Sequence, residues 1–431
     1  MEFSRRAAIM AGMSTAAAIP LARAAAPANR SSGGKDPVTP EQFGAVGDGN
    51  HDDTQAWQAA ARTGLTIVPK PGARYLISAS ISPPPGTPLI IRGGTIKGPG
   101  ASVLKAAPNF TGYLLKPTSS YEIRGLHIVG NGRDGCHLIG TDEKGSGGSV
   151  IIEDIDFRRA DTFINFGPGW EHPLGLYYAR IYGQHFRTAG IILGGTRGGA
   201  RSGESAWTFD TVIMTNADKG TAGSLPATGI SVTRGGNADL LTWDGTPSPM
   251  FGWVVLRSQD GKTGWHVPPN WTEAFCQTGR FEAEKAAGET WQYAVVRQTV
   301  GICLRRGKAV AATSVQAEYC GIGVWLDNVL GFNFQAIYSE TRDRAAPYPN
   351  LSSVVVTGGS YGTIGTTWAE QYGYAIIASP GTQVNTGMFR GRSLKWALYG
   401  GREMPPDAPW NRKGALMGST PVPFRRLSGK D

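Results

Sequence analysis

The chain repeats itself, and the repeat is what most limits its fold. Short strand-like segments return around one aliphatic position each: Leu126 in Gly-Leu-His-Ile, Ile155 in Glu-Asp-Ile-Asp-Phe, Ile181 in Ala-Arg-Ile-Tyr and Val212 in Asp-Thr-Val-Ile. Their separations are 29, 26 and 31 residues. A second series ends each segment in an aromatic, at Tyr319, Tyr338, Tyr361 and Phe389, with separations of 19, 23 and 28. A repeat of that length cannot bury its apolar face alone, so successive repeats bury it by stacking. The expected fold is an all-β solenoid in which residues at equivalent positions form ladders from coil to coil.

Composition agrees. Gly supplies 61 of 431 residues, about twice its ordinary usage, and solenoid corners need the positive φ that Gly adopts freely. There is no Gly-X-Y period, which excludes collagen. A hydrophobic content of 40% with 12 Trp excludes general disorder. Expected strands include Leu89–Arg92, Tyr121–Val129, Val150–Phe157, Leu176–Tyr182, Ala206–Met214, Val310–Tyr319, Phe332–Tyr338 and Tyr374–Ile377. One segment reads as a helix, Asp53 to Arg62. Asp52 or Asp53 serves as its N-cap, Ala56, Trp57, Ala60 and Ala61 form its apolar face, and Gly64 ends it.

The segment before that helix carries a resemblance. Phe43-Gly-Ala-Val-Gly-Asp-Gly-Asn-His-Asp-Asp-Thr-Gln-Ala-Trp-Gln-Ala-Ala resembles the opening of the pectate-lyase-superfamily, polygalacturonase-like right-handed parallel β-helix proteins. The resemblance implies that this segment caps the N-terminal end of a β-helix spanning 38–400. It also implies an active site in a groove on one outer wall, suited to an extended polymer. It leaves the reaction open, because lyases, hydrolases, epimerases and phage tailspikes share the architecture. Asp48, Asp52 and Asp53 could suggest a metal cluster, but carboxylates here more simply take up turn and cap N–H groups. No metal ligand set is expected, and a Ca²⁺ requirement is not indicated.

Two chemistries compete for the groove. Hydrolysis needs paired carboxylates. Asp154 and Asp156, two apart with Ile155 and Phe157 alternating inward, are candidates. So are Asp210 at a similar rung position and Glu318 and Glu340 on consecutive repeats. β-Elimination on a uronic-acid polymer needs a base and a cation against the substrate carboxylate. Its candidates are His172, His185, Tyr182, Arg180 and Arg187, with Arg297 and Arg305 further on. Residues 233–293 break the repeat and hold Trp243, Trp253, Trp265, Trp271 and Trp291. They read as loops over the groove offering Trp253, Trp265 and Trp271 to sugar faces, or equally as a small apolar core under an insertion.

The first 26 residues place Ser4-Arg5-Arg6 before an Ala-rich stretch that ends in Ala22-Arg23-Ala24-Ala25-Ala26. This is the layout of a Tat-type signal peptide, followed by a linker over 27–37. It predicts a folded protein handed to the Tat machinery, then periplasmic or secreted, with no stable membrane anchor. Residues 401–431 read as a tail. Four Cys (136, 276, 303 and 320) contain no Cys-x-x-Cys pair, so buried free thiols are expected, with Cys303 and Cys320 as neighbours able to pair. The net charge is +9, and about +7 without the first 26 residues. Without a dense basic run or a nucleic-acid-binding motif, nucleic acid is not expected as a partner. The excess charge suits an acidic polysaccharide. A polysaccharide lyase or glycoside hydrolase is the leading expectation, with a non-catalytic carbohydrate-binding scaffold or a polysaccharide epimerase as alternatives.

Overall fold

The computed structural model describes residues 36–392 apart from 168, 172–174, 195–205, 217–223, 245–252, parts of 263–278, 342–350, 371, 373 and 380. It also describes 396–399, 402–404 and 422–423. The signal segment, most of the linker and tail, His172 and Trp271 therefore lie outside the described residues.

The chain is a parallel β-helix. Each coil contributes a strand to each of three walls, and equivalent strands pair in parallel from coil to coil. The first wall runs through Leu89–Arg92 and the openings of Tyr121–Val129, Val150–Phe166, Leu176–Leu193, Trp207–Thr215 and Ala311–Glu318. The second wall begins at Val103–Ala106, takes the next stretch of those same strands, and goes on through Leu330–Glu340 and Tyr361–Glu370. The third passes through Cys136–Thr141, the ends of the strands at 166 and 193, Val300–Arg305, Ile322–Asp327, Ser352–Thr357 and Tyr374–Ala378. Every wall sends alternate side chains inward. Leu126, Ile155, Ile181 and Val212 pair directly in register and are fully buried in one continuous core.

Single left-handed residues make the corners without breaking the ladder. Gly125, Asp154, Arg180 and Thr211 turn the chain from the first wall to the second, with φ of 65°, 54°, 49° and 55°. Arg159, His185 and Tyr319 turn it from the second to the third. A non-glycine residue in this region costs about 1–2 kcal/mol, so coil-to-coil contacts must hold it there.

The second repeat series was misaligned by its aromatics. The structure pairs Gln316 with Tyr338 and Tyr338 with Trp368, while Tyr361 stands opposite Leu330. The helix forms over Thr54–Arg62 and packs Trp57 edge-on against Tyr75 at 5.1 Å, closing the core at this end. Asp53 does not cap it. Its carboxylate instead accepts the Val46 and Gly47 N–H groups at 2.7 and 3.1 Å, while Asp52 takes the Thr54 N–H at 3.1 Å.

Between Thr215 and Val300 the chain leaves the coil, then resumes in register, Thr215 standing opposite Glu318. The excursion contains the 233–293 stretch and forms two small antiparallel sheets. One of these lays Val254, Leu256, Ala294 and Val296 against the outside of the third wall, on Ile192, Cys303, Trp325 and Val355. That wall is thereby buried on both sides. Cys303 faces this outer cluster whereas Cys320 faces the coil interior, and both are free thiols. Among the described residues no helix is long and apolar enough to cross a membrane.

Candidate active site on the second wall

The outer surface of the second wall carries two parallel columns of side chains. One column runs His127, Asp156, Tyr182, Ile213, Gln316, Tyr338 and Trp368. The other, two residues further along each strand, runs Val129, Arg158, Gln184, Thr215, Glu318, Glu340 and Glu370. Neighbouring rungs of a sheet lie about 4.8 Å apart, so three glutamates stand on three consecutive rungs.

Each glutamate receives a hydrogen bond from the first column of its own strand. Gln316 donates its amide to Glu318 at 2.6 Å, Tyr338 its hydroxyl to Glu340 at 2.5 Å, and Trp368 its indole N–H to Glu370 at 2.8 Å. Two of the donors are aromatic and stack, with the Tyr338 and Trp368 rings 6.4 Å apart and 26° from parallel. Glu318 and Glu340 are only 6% and 5% exposed. Stacked carboxylates repel, and charge-assisted donors offset that repulsion. Burial first, and then the bond to Glu340 and the charges of all three glutamates, push the Tyr338 phenol well above its ordinary value. Tyr338 is thus a fixed donor at neutral pH and not a base.

Glu318 and Glu340 are brought together as the sequence suggests. Glu370, Tyr338 and Trp368 were missed. A signal for them exists: Gln-Ala-Glu, Tyr-Ser-Glu and Trp-Ala-Glu recur at 316–318, 338–340 and 368–370.

The other predicted residues disperse. Asp156 lies on the same wall, three or more rungs from the glutamates, where Arg158 grips it at 2.9 and 3.0 Å. Asp154 does not share a face with it, because its positive φ puts it at the corner. There Arg180 holds it at 2.6 and 2.8 Å and also reaches Glu153. The Arg180 hydrogen bond is the main cause that lowers the Asp154 carboxyl below its usual range. Asp210 stands in register with Ala179 and Glu153, beside the same corner. His185 is a corner residue, and Arg187 pairs with Asp134 at 2.7 Å. Tyr182 sits in the first column under the Lys97 ammonium, 4.8 Å from the ring centre. Trp253 packs on the small core of the insertion and Trp265 against the cluster outside the third wall. Arg297 is on an insertion strand, and Arg305 is buried on the third wall against Trp325. Among the described residues no group of three or more His, Cys, Asp and Glu could hold a metal ion.

No protein-family model matches the chain. No curated protein sequence matches it either. Solved structures of similar fold do. The enzymatically active domain of bacteriophage CBA120 tailspike protein 2 is 13% identical, with a TM-score of 0.42, over 83% of this chain and 47% of its own. The A-module of a mannuronan C-5 epimerase from Azotobacter vinelandii is 14% identical, with a TM-score of 0.29, over 84% of this chain and 96% of its own. The endo-xylogalacturonan hydrolase of Aspergillus tubingensis is 12% identical, with a TM-score of 0.30, over 80% and 76%. The chain spans less than half the length of the tailspike structure.

Proposed function

We propose that the chain is an exported polysaccharide-cleaving enzyme, periplasmic or secreted, and that the glutamate column is its hydrolytic centre. The observation that carries this reading is the register of Glu318, Glu340 and Glu370 on consecutive rungs beside the Tyr338–Trp368 stack. Glycoside hydrolysis asks for two carboxylates flanking one bond, about 5–5.5 Å apart for retention of configuration and about 6.5–9.5 Å for inversion. The rung spacing of about 4.8 Å sets neighbouring glutamates near the first of these. Glu340, held as an acceptor by Tyr338, suits the nucleophile, and a neighbour on the next rung the acid. The stacked rings offer apolar faces on which sugar rings can lie.

The test is to incubate the purified protein with a panel of neutral and acidic polysaccharides. New reducing ends without the ultraviolet absorbance of unsaturated sugars identify hydrolysis. Glu340→Gln should remove it, by about 10²–10⁴-fold for a group that handles the proton or the bond directly. Unsaturated ends would identify elimination instead. Polymer binding with neither product would retire cleavage in favour of a binding protein or an epimerase. For export, a chain carrying Arg5→Lys and Arg6→Lys should stay in the cytoplasm of a Tat-competent bacterium; normal export of that variant would retire the Tat assignment.

A further inference from the structure

The second wall is electrically divided along its length. Its upstream rungs carry cations. The two carboxylates on the rung before them, Asp48 in register with Arg74 and Asp52 with Leu76, are engaged by the Asn50, His51 and Thr54 N–H groups and the Ser78 hydroxyl rather than by those cations. Arg74 and Lys105 belong to the strands Arg74–Ile77 and Val103–Ala106, which lead by register into the rungs of His127 and Val129. Lys97 reaches the same wall from the preceding loop, over the Tyr182 ring. All three are exposed, and none makes an ion pair among the described residues. Asp156 does not cancel them, since Arg158 already neutralises it through two hydrogen bonds. The downstream rungs carry the three glutamates. Between the Asp156–Arg158 pair and the glutamates stand Tyr182, Gln184, Ile213 and Thr215, all uncharged.

We infer that this wall binds a polysaccharide of mixed charge lengthwise, an acid-bearing sugar over Arg74, Lys97 and Lys105 and uncharged sugars across Glu318, Glu340 and Glu370. The inference rests on the polysaccharide reading above and deepens it by naming the substrate class. A polymer with an acid group on every unit would lay carboxylates over three glutamates, and like charges in contact are strongly disfavoured. A wholly neutral polymer would leave the cationic end without a partner. From Lys105 to Glu318 is five rung spacings, about 24 Å. That separation spans several sugar units, so one chain segment can satisfy both ends.

The experiment measures binding of the full chain to hyaluronan, polygalacturonate and dextran at low salt. These carry an acid on alternate units, on every unit and on none. Hyaluronan should bind most tightly. Replacing both exposed lysines, Lys97→Gln and Lys105→Gln, should weaken hyaluronan about tenfold, equivalent to about 1.4 kcal/mol, flatten its salt dependence and leave dextran unchanged. Glu318→Gln with Glu340→Gln should strengthen polygalacturonate. Hyaluronan binding that ignores the lysine substitutions together with polygalacturonate binding that ignores the glutamate substitutions overturns the inference alone, as does polygalacturonate binding tighter than hyaluronan in the unaltered protein. Failure to bind all three polymers overturns the polysaccharide reading itself and the inference with it.

Discussion

Tyr338 donates its hydroxyl to Glu340 at 2.5 Å from two positions earlier on the same strand, and its ring stacks on Trp368 of the next rung. One side chain therefore both holds a carboxylate and extends the surface beside it. Tyr338→Phe separates the two roles. The ring remains, while a nearly buried carboxylate loses a donor, a change worth about 1–3 kcal/mol. Denaturant unfolding should show a loss of that size, and polymer binding should change less than turnover. A variant as stable as the parent would refute the pinning of Glu340.

At the corner between the first and second walls, Asp154 and Arg180 are gripped together although both sit at positive φ. Each side chain is 42% exposed, so the pair itself is worth no more than about 1 kcal/mol. The backbone strain is of comparable size. Arg180→Ala should thus destabilise, because it keeps the strain and drops the pair, while Arg180→Gly should recover most of the loss by relieving φ. Equal stabilities for the two variants, by thermal melting, would count against a strained corner.

How much of this was legible in the sequence differs along the chain. The register of Leu126, Ile155, Ile181 and Val212 was readable because each follows a corner residue and faces inward, so coil after coil must repeat an aliphatic there. The later coils were misread because the aromatics at 319, 338, 361 and 389 do not share one position. Tyr319 is a corner and Tyr338 an outward residue. Coil length also varies, from 22 residues between Glu318 and Glu340 to 30 between Glu340 and Glu370, and loop length leaves no trace in a periodicity. The pairing of Asp154 with Asp156 failed for a physical reason: strand alternation holds only where φ stays negative. Nor could composition say which wall the Trp-rich insertion covers, because that depends on antiparallel pairings between distant segments.

Burial, as the main cause, lowers the imidazoles of His127 and His137 below their ordinary value, against the opposing pull of nearby aspartates. The unfolded chain therefore takes up protons before the folded one does. Stability is full above the unfolded value, near pH 6.5, and is lost as pH falls below it towards the folded values. Melting temperature should drop between about pH 7.5 and 5.5, and His137→Phe should flatten part of that slope. A flat profile in the parent would mean that neither ring is held neutral.

Cys303 and Cys320 lie on opposite sides of the third wall. Burial pushes the Cys303 thiol up to about 11 and Cys320 up as well. A protonated, enclosed thiol is a poor nucleophile. Neither should react with a thiol reagent until the protein unfolds, and an oxidant should not join them. A Cys303–Cys320 crosslink found by peptide mass mapping of the oxidised native protein would contradict this placement.

The N-terminal helix has a role that its few residues understate. A stacked coil ends in an open apolar layer and in unpaired strand edges, and either can recruit another chain. Trp57 is fully buried over that end, against Tyr75. Trp57→Ala should cost about 3–5 kcal/mol from lost burial and a cavity, and should also let the end of the coil associate. Trp57→Phe keeps most of the apolar cover and should do neither to the same extent. The two effects separate experimentally: denaturant unfolding reads the stability loss, and light scattering over time reads association. If Trp57→Ala were destabilised yet stayed as monodisperse as Trp57→Phe, the helix would contribute core packing without guarding the end of the coil.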